Sequence, residues 1–215
     1  MPIVFVVLVA ALAVGYALRL PEPATRLWLG LGLPYLALAG VAAVQLFRKG
    51  VLRDLLRFRP GDLTLGIGLG GLLLLSAWGL SRVLFPLEAP GHAWLFRIFL
   101  LAGDTSTVAA TFWLIVLAAC DELTWRGWVQ LELSTRLGAR RGWVACALLY
   151  AIAHTPTLVT LRDPVAGSNP VLVLLALGCG LCWAFLRERT GRVMPSLLSH
   201  VAFTYLAAQY LWRFV

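Results

Sequence analysis

Charge is what this sequence lacks most. Only 13% of its 215 residues are charged against 60% hydrophobic, and the mean hydropathy is +0.86, whereas charged residues make up about a quarter of an ordinary soluble domain. That deficit excludes a soluble globular protein and predicts an integral membrane protein of the all-α class, a polytopic transmembrane helix bundle. The net charge of +8 does not point to nucleic acid. Nine Trp and long Leu, Ala and Val runs leave no exposed basic domain to carry that role. Cysteine is sparse too: Cys120, Cys146, Cys179 and Cys182 all fall inside apolar stretches, which reads as small buried hydrophobes rather than disulfides. The Cys179–Cys182 pair has no flanking ligands and no second pair, so no metal site and no cofactor are expected. Repeats and linkers are missing as well, so residues 1–215 are expected to form one membrane domain.

The apolar runs that are present give about seven spans. Ile3 to Leu18 is a first transmembrane helix rather than a removed signal, because no convincing small-residue cleavage site follows it. Pro21-Glu22-Pro23 ends it, and Leu27 to Phe47 is a second span of bilayer length. The basic, amphipathic connector from Arg48 to Arg59 is expected to lie along the membrane surface. Leu63 to Leu84 follows as the third span. Within it Gly66, Gly68 and Gly71 satisfy a GxGxxG pattern, which predicts helix packing here, since no strand precedes it and no βαβ unit surrounds it. Residues 93–102 form an apolar patch that could be interfacial or re-entrant, with His92 ahead of it as a loop histidine. Thr107 to Thr135, Trp143 to Leu161, Pro170 to Leu186 and Val193 to Phe214 complete the set, and Pro156 is placed to kink the fifth.

Lys and Arg sort by side in this arrangement. Eleven lie in the links after spans two, four and six, from Arg48 to Arg192, while Arg19, Arg26, Arg82, Arg97, Arg162 and Arg213 lie opposite. The positive-inside rule then puts the amino terminus in the cytoplasm and the carboxyl terminus outside. Trp28, Trp94 and Trp212 near one boundary and Trp143 near the other fit aromatic belts.

Few strongly polar residues remain deep in the spans: Asp121, Glu122, Arg126 and Gln130 on the fourth, His154 on the fifth, His200 on the seventh. Ionisable groups at membrane depth are costly and mark working sites. At ~1.5 Å per residue, Glu122, His154 and His200 lie roughly 20, 18 and 10 Å from the basic ends of their helices, so all can meet in one half of the membrane. Glu122, Arg126 and Gln130 recur every four residues and share a helix face, with Asp121 turned about 100° aside. A Glu122–Arg126 pair made only to neutralise two charges would explain neither Asp121 nor the histidines. A carboxylate and two imidazoles on three helices are the parts needed to deprotonate a water and hold an oxyanion.

Three motifs carry a family resemblance: Asp121-Glu122-Leu-Thr-Trp-Arg126, Tyr150-Ala-Ile-Ala-His154 and His200-Val-Ala-Phe-Thr204. In order, spacing and placement the chain resembles the CAAX-processing and bacteriocin-processing (CPBP, or Abi) intramembrane glutamic proteases over residues 107–215, with residues 1–106 as family-variable amino-terminal spans. The resemblance implies that Asp121 and His154 activate the attacking water, that Glu122 and Arg126 support the site, and that His200 and Thr204 stabilise the tetrahedral oxyanion. Tyr150 is the aromatic residue of the second motif. Asp121 stands where the family has Glu, and Thr204 where Asn is common. Two readings of the acid pair follow: Asp121 reaches the water, or Glu122 takes over as base. The implied substrate is a membrane-associated protein or peptide that loses a terminal processing or sorting segment in a bacterial inner membrane, the lipid bilayer being the other partner.

Other protease chemistries fit less well. There is no HExxH and no GxGD, and Ser199 and His200 are adjacent on one helix, pointing about 100° apart. The rival from another class is a non-catalytic membrane chaperone or a proton-coupled carrier using the same groups, although no inverted repeat supports a carrier. Clustering of Asp121, His154 and His200 in one cavity would favour the protease, and a polar string through the full thickness would favour transport.

Overall fold

A computed structural model describes residues 2–18, 24–102 and 107–211, nearly all of them helical. In chain order the helices are α1 (Pro2–Ala17), α2 (Ala24–Arg48), α3 (Leu52–Leu55), α4 (Pro60–Leu84), α5 (His92–Ala102) and α6 (Val108–Asp121). A π-helical segment (Glu122–Val129) continues α6 into α7 (Gln130–Leu137), and α8 (Ala139–Ala153), α9 (Thr157–Thr160), α10 (Val171–Thr190) and α11 (Met194–Leu206) follow, with a second π segment at Ala207–Leu211. Hydrocarbon offers no partners to backbone polar groups, so a chain this apolar satisfies them within helices.

Five segments are long and apolar enough to cross a membrane: Leu29–Arg48, Pro60–Leu84, Val108–Leu137, Ala139–Thr160 and Val171–Thr190. They are the second to sixth of the expected spans. The first is an apolar helix of shorter length, Ile3–Ala17, packed on α2 and α8, and the last is α11, packed on α4 and α6. Large apolar side chains point outward along most helices, Leu12, Phe47, Leu75 and Phe112 among them, as a lipid-facing surface requires. The Pro21-Glu22-Pro23 kink and Trp212 lie outside the described residues, as does the side chain of Trp28.

The links pair off by side. At one end Lys49 meets Glu132, Arg192 meets the buried Asp62, and the Val193 N–H donates to the Leu55 carbonyl at 2.9 Å. At the other, Arg97 Nε sits 3.2 Å from Asp163 Oδ2, and Asn169 Nδ2 donates to the Trp94 carbonyl at 3.0 Å. The links after spans two, four and six thus gather at one end, as their shared basic character predicts.

Two ambiguous segments take definite form. Gly50, at φ +71°, ends α2 in a left-handed turn, after which the 48–59 connector is helical only over the single turn of α3; Leu55 is buried while Leu56 and Phe58 are exposed with the arginines around them. Residues 93–102 fall in α5, whose 11 residues reach only about 16 Å and do not cross. Leu95 and Ile98 face inward, Phe96 and Leu100 outward. His92, expected in the loop, is instead the first residue of α5, drawn there by the turn at Pro90-Gly91, with its ring Nδ1 bonded to the Phe85 carbonyl at 3.2 Å.

The third-span glycines pack a helix, but not all three of them. A Cβ on Gly66 would lie 2.5 Å from Leu198 Cβ, and one on Gly70 3.0 Å from both Ala202 Cβ and the Ser199 carbonyl, whereas Gly68 and Gly71 face open space. The working pattern is therefore Gly66-xxx-Gly70, two small residues on one helix face. It presses α4 against the stretch of α11 that carries His200.

Candidate active site

The charged motif sits on a helix that changes pitch where the charges begin. The Gln130 N–H donates to the Trp125 carbonyl, a five-residue closure, and the widened turn runs from Glu122 to Val129. Such segments are rare and recur at functional sites. Glu122 and Arg126 remain paired, Oε1 to Nη1 3.5 Å, both fully buried. The π turn alters the even four-residue face expected for a regular helix, yet Gln130 still joins the polar row, giving hydrogen bonds from Nε2 to the Ala184 carbonyl at 2.9 Å and to Glu188 Oε2 at 3.2 Å.

Glu122 and Asp121 part company here. Glu122 lies behind the cavity wall, with its Oε1 3.0 Å from His200 Nδ1 as well as against Arg126. Asp121 lines the cavity itself. Its Oδ2 accepts the Tyr150 hydroxyl at 3.0 Å, and its buried Oδ1 has no hydrogen-bond partner among the described residues.

The two histidines are held by different means. Pro156 breaks the fifth span as its position predicts: α8 ends at Ala153, and His154 is the capping residue. Its Nδ1 lies 2.8 Å from the Tyr150 carbonyl. A carbonyl only accepts, so Nδ1 carries the proton and Nε2 of the neutral ring is left as an acceptor, which is the tautomer a general base needs. His200 stacks on Trp183, centroids 3.9 Å apart and planes 17° apart, and the Trp183 indole N–H donates to Ser199 Oγ at 3.0 Å. Arg126 lies over the rings of Tyr150 and Trp183 at 4.3 and 5.3 Å. Gly180 makes room for this packing, since a Cβ there would stand 3.1 Å from Tyr150 Cδ1 and 3.3 Å from Arg126 Nη2.

Asp121, Tyr150, His154, His200 and Thr204 all line one cavity of about 320 Å³. Glu122 and Arg126 are its buried backing. Much of the remaining lining is aliphatic, with Val14 from α1, Leu18 just past its end, Leu31 from α2, Ile98 from α5 and Leu172 from α10. All four cysteines are free thiols, and among the described residues no three His, Cys, Asp or Glu side chains converge to hold a metal ion. Two cavity residues escaped the sequence reading, Trp183 and Tyr35. Both are polar-edged aromatics in mid-span, away from the interfacial belts where Trp and Tyr usually sit, and that placement is the signal that could have found them.

A family model for type II CAAX prenyl endopeptidases, Rce1-like, matches residues 103–206. Over this segment the chain is similar to the Rce1-like CAAX endopeptidases. All seven side chains singled out by motif fall within the matched segment, while part of the cavity wall comes from helices ahead of it. No curated protein and no solved structure matches the chain. Family and apolar helices together make it a membrane-embedded protease acting on a protein substrate.

Proposed function

We propose that this protease cleaves a terminal processing or sorting segment from a membrane-associated protein or peptide, using a water activated by Asp121 and His154. What carries the reading is the division within the acid pair: Asp121 opens onto the cavity shared with both histidines, while Glu122 is bound to Arg126 and His200 behind it. Asp121 Oδ1 and His154 Nε2 are the acceptors for the water proton. Attack of the water oxygen on the scissile carbonyl carbon makes a tetrahedral oxyanion, for which His200 and Thr204, one turn apart on α11, are the donors. With its Nδ1–H directed at Glu122, His200 offers an N–H from Nε2 only as the imidazolium, the form that makes an ion pair with that carboxylate. Collapse breaks the C–N bond, and the proton taken from water passes to the leaving amine.

A carrier would need polar groups leading away from Asp121 on both sides. The polar row from Glu122 through Arg126 and Gln130 to Glu188 runs toward one end of the bundle, and the rest of the cavity lining is mostly apolar. The test is cleavage of a tagged membrane substrate in proteoliposomes, the substrate being identified as the uncleaved protein that accumulates with an Asp121→Asn enzyme. We expect Asp121→Asn and His154→Ala each to lower the rate by about 10² to 10⁴, and chelators to have no effect. Undiminished cleavage by Asp121→Asn would overturn the assignment of the base.

A further inference from the structure

We infer that Tyr35, on α2 and outside the family-matched segment, is a positioning residue of the same site, its hydroxyl orienting the Asp121 carboxylate and the water it activates. The inference rests on the proposed hydrolysis at Asp121. Five residues from the chain ahead of residue 103 line the cavity: Val14, Leu18, Leu31, Tyr35 and Ile98. Four are aliphatic, and Tyr35 alone brings a polar group. It is 4% exposed and lines the cavity together with Asp121 of the motif helix and Tyr150 of α8. A phenol carried into a nearly apolar pocket loses hydration unless something there uses its O–H.

The local architecture holds Tyr35 in that place. Gly32, one turn earlier, packs directly on the Trp113 ring of α6 with no room for a Cβ, and Leu46 further along α2 packs on Gly127, where an added Cβ would stand 3.2 Å from Leu46 Cδ1. These two close approaches seat α2 on the motif helix at both ends of the interval that holds Tyr35. Pro34 immediately before it lies inside α2, where a proline removes one backbone bond and permits a bend. Tyr150 already donates to Asp121 Oδ2 at 3.0 Å, and Oδ1 has no partner. Tyr35 and Tyr150 are the two phenols that line the cavity onto which Asp121 opens, one from each half of the chain.

The test is Tyr35→Phe, which keeps the ring and removes only the hydroxyl, assayed for cleavage over a range of pH beside Asp121→Asn and Tyr16→Phe. Tyr16 is on the exposed face of α1 and controls for loss of a phenol hydroxyl as such. The expected result is a kcat lower by roughly 10- to 100-fold at unchanged KM and melting temperature, with the acidic limb of the kcat profile displaced, and no change in Tyr16→Phe. A structural role for the ring would leave kcat and the limb in place. Tyr35→Phe within twofold of wild type with an unmoved limb, beside an inactive Asp121→Asn, overturns the inference alone. An active Asp121→Asn overturns the proposed hydrolysis and this inference with it.

Discussion

At the scale of single residues, adjacent carboxylates have unlike tasks, and their variants are expected to fail in unlike ways. Glu122 neutralises Arg126, and both are fully buried. Removing one member of such a pair leaves a buried charge alone, which costs about 3–5 kcal/mol. Glu122→Gln is therefore predicted to lower the melting temperature in detergent as well as the activity, and Glu122→Gln with Arg126→Met to recover the stability but not the activity. Asp121→Asn keeps its place against the Tyr150 hydroxyl and is predicted to lose cleavage with little change in melting. Equal destabilisation by both single variants would refute this division of roles. The composition and motifs made all the motif residues legible, because ionisable groups are conspicuous in an apolar sequence. Which acid faced the cavity was not legible, since spacing fixes a rotation between neighbours but not the direction of the substrate. Tyr35 and Trp183 were missed because their polar edges are lost among the other aromatics.

Helix pairs determine where those residues sit, and small residues determine how closely the pairs approach. The α4–α11 contact rests on Gly66 and Gly70, with Gly68 and Gly71 turned to open space. Gly70→Val must displace Ser199 and Ala202 and, with them, His200. Overpacking of this kind costs about 1–3 kcal/mol, so a lower melting temperature and slower cleavage are predicted, while Gly68→Val stays within about 0.5 kcal/mol of wild type. Thermal unfolding of the two variants side by side decides it. The sequence reading found the glycine cluster but credited a spacing of two and three, when helix packing requires one face and hence a spacing of four. The π turn at Glu122–Val129 was illegible for a related reason: its 3.6-residue alternative gives the same Glu122–Arg126 pairing, so the motif does not distinguish them.

A second contact between elements is sensitive to pH. Asp163 accepts from the backbone N–H groups of Ala166 and Val165 and pairs with Arg97 of α5, and these, the Ala166 bond foremost, hold its carboxyl below the usual carboxylate range. The sign follows from that depression: its contribution is complete above the unfolded value, about 3.9, and is lost as the pH falls through the lower folded value. Amide exchange corrected for intrinsic rates should show α5 well protected at pH 6 and less so below pH 3. Asp163→Asn should already be less protected at pH 6. Protection of α5 that is indifferent to both changes would show that its apolar face alone holds it.

At the scale of the whole molecule, the larger of two hydrophobic clusters does not respect the boundary of the family match. The buried cluster runs from Val6 through Leu46 and Trp125 to Ala207, and the cavity draws walls from α1, α2 and α5 as well as from the helices that bear the motifs. Membrane helices associate through packing rather than through escape from water, so a motif-bearing half without α2 loses its partner at Gly127 and one side of its cavity while remaining inserted. We therefore propose one domain over the described chain, as the absence of linkers predicted, rather than a catalytic core with dispensable spans in front. Expression of residues 1–102 and 107–215 as separate chains tests this. Either half alone is predicted to insert and to cleave nothing, and the two together are predicted to co-purify and to recover cleavage, because the contacts that close the cavity are between helices and need no covalent link. Cleavage by 107–215 alone would make the amino-terminal helices accessory, and would remove the physical ground for placing any part of the site on α2.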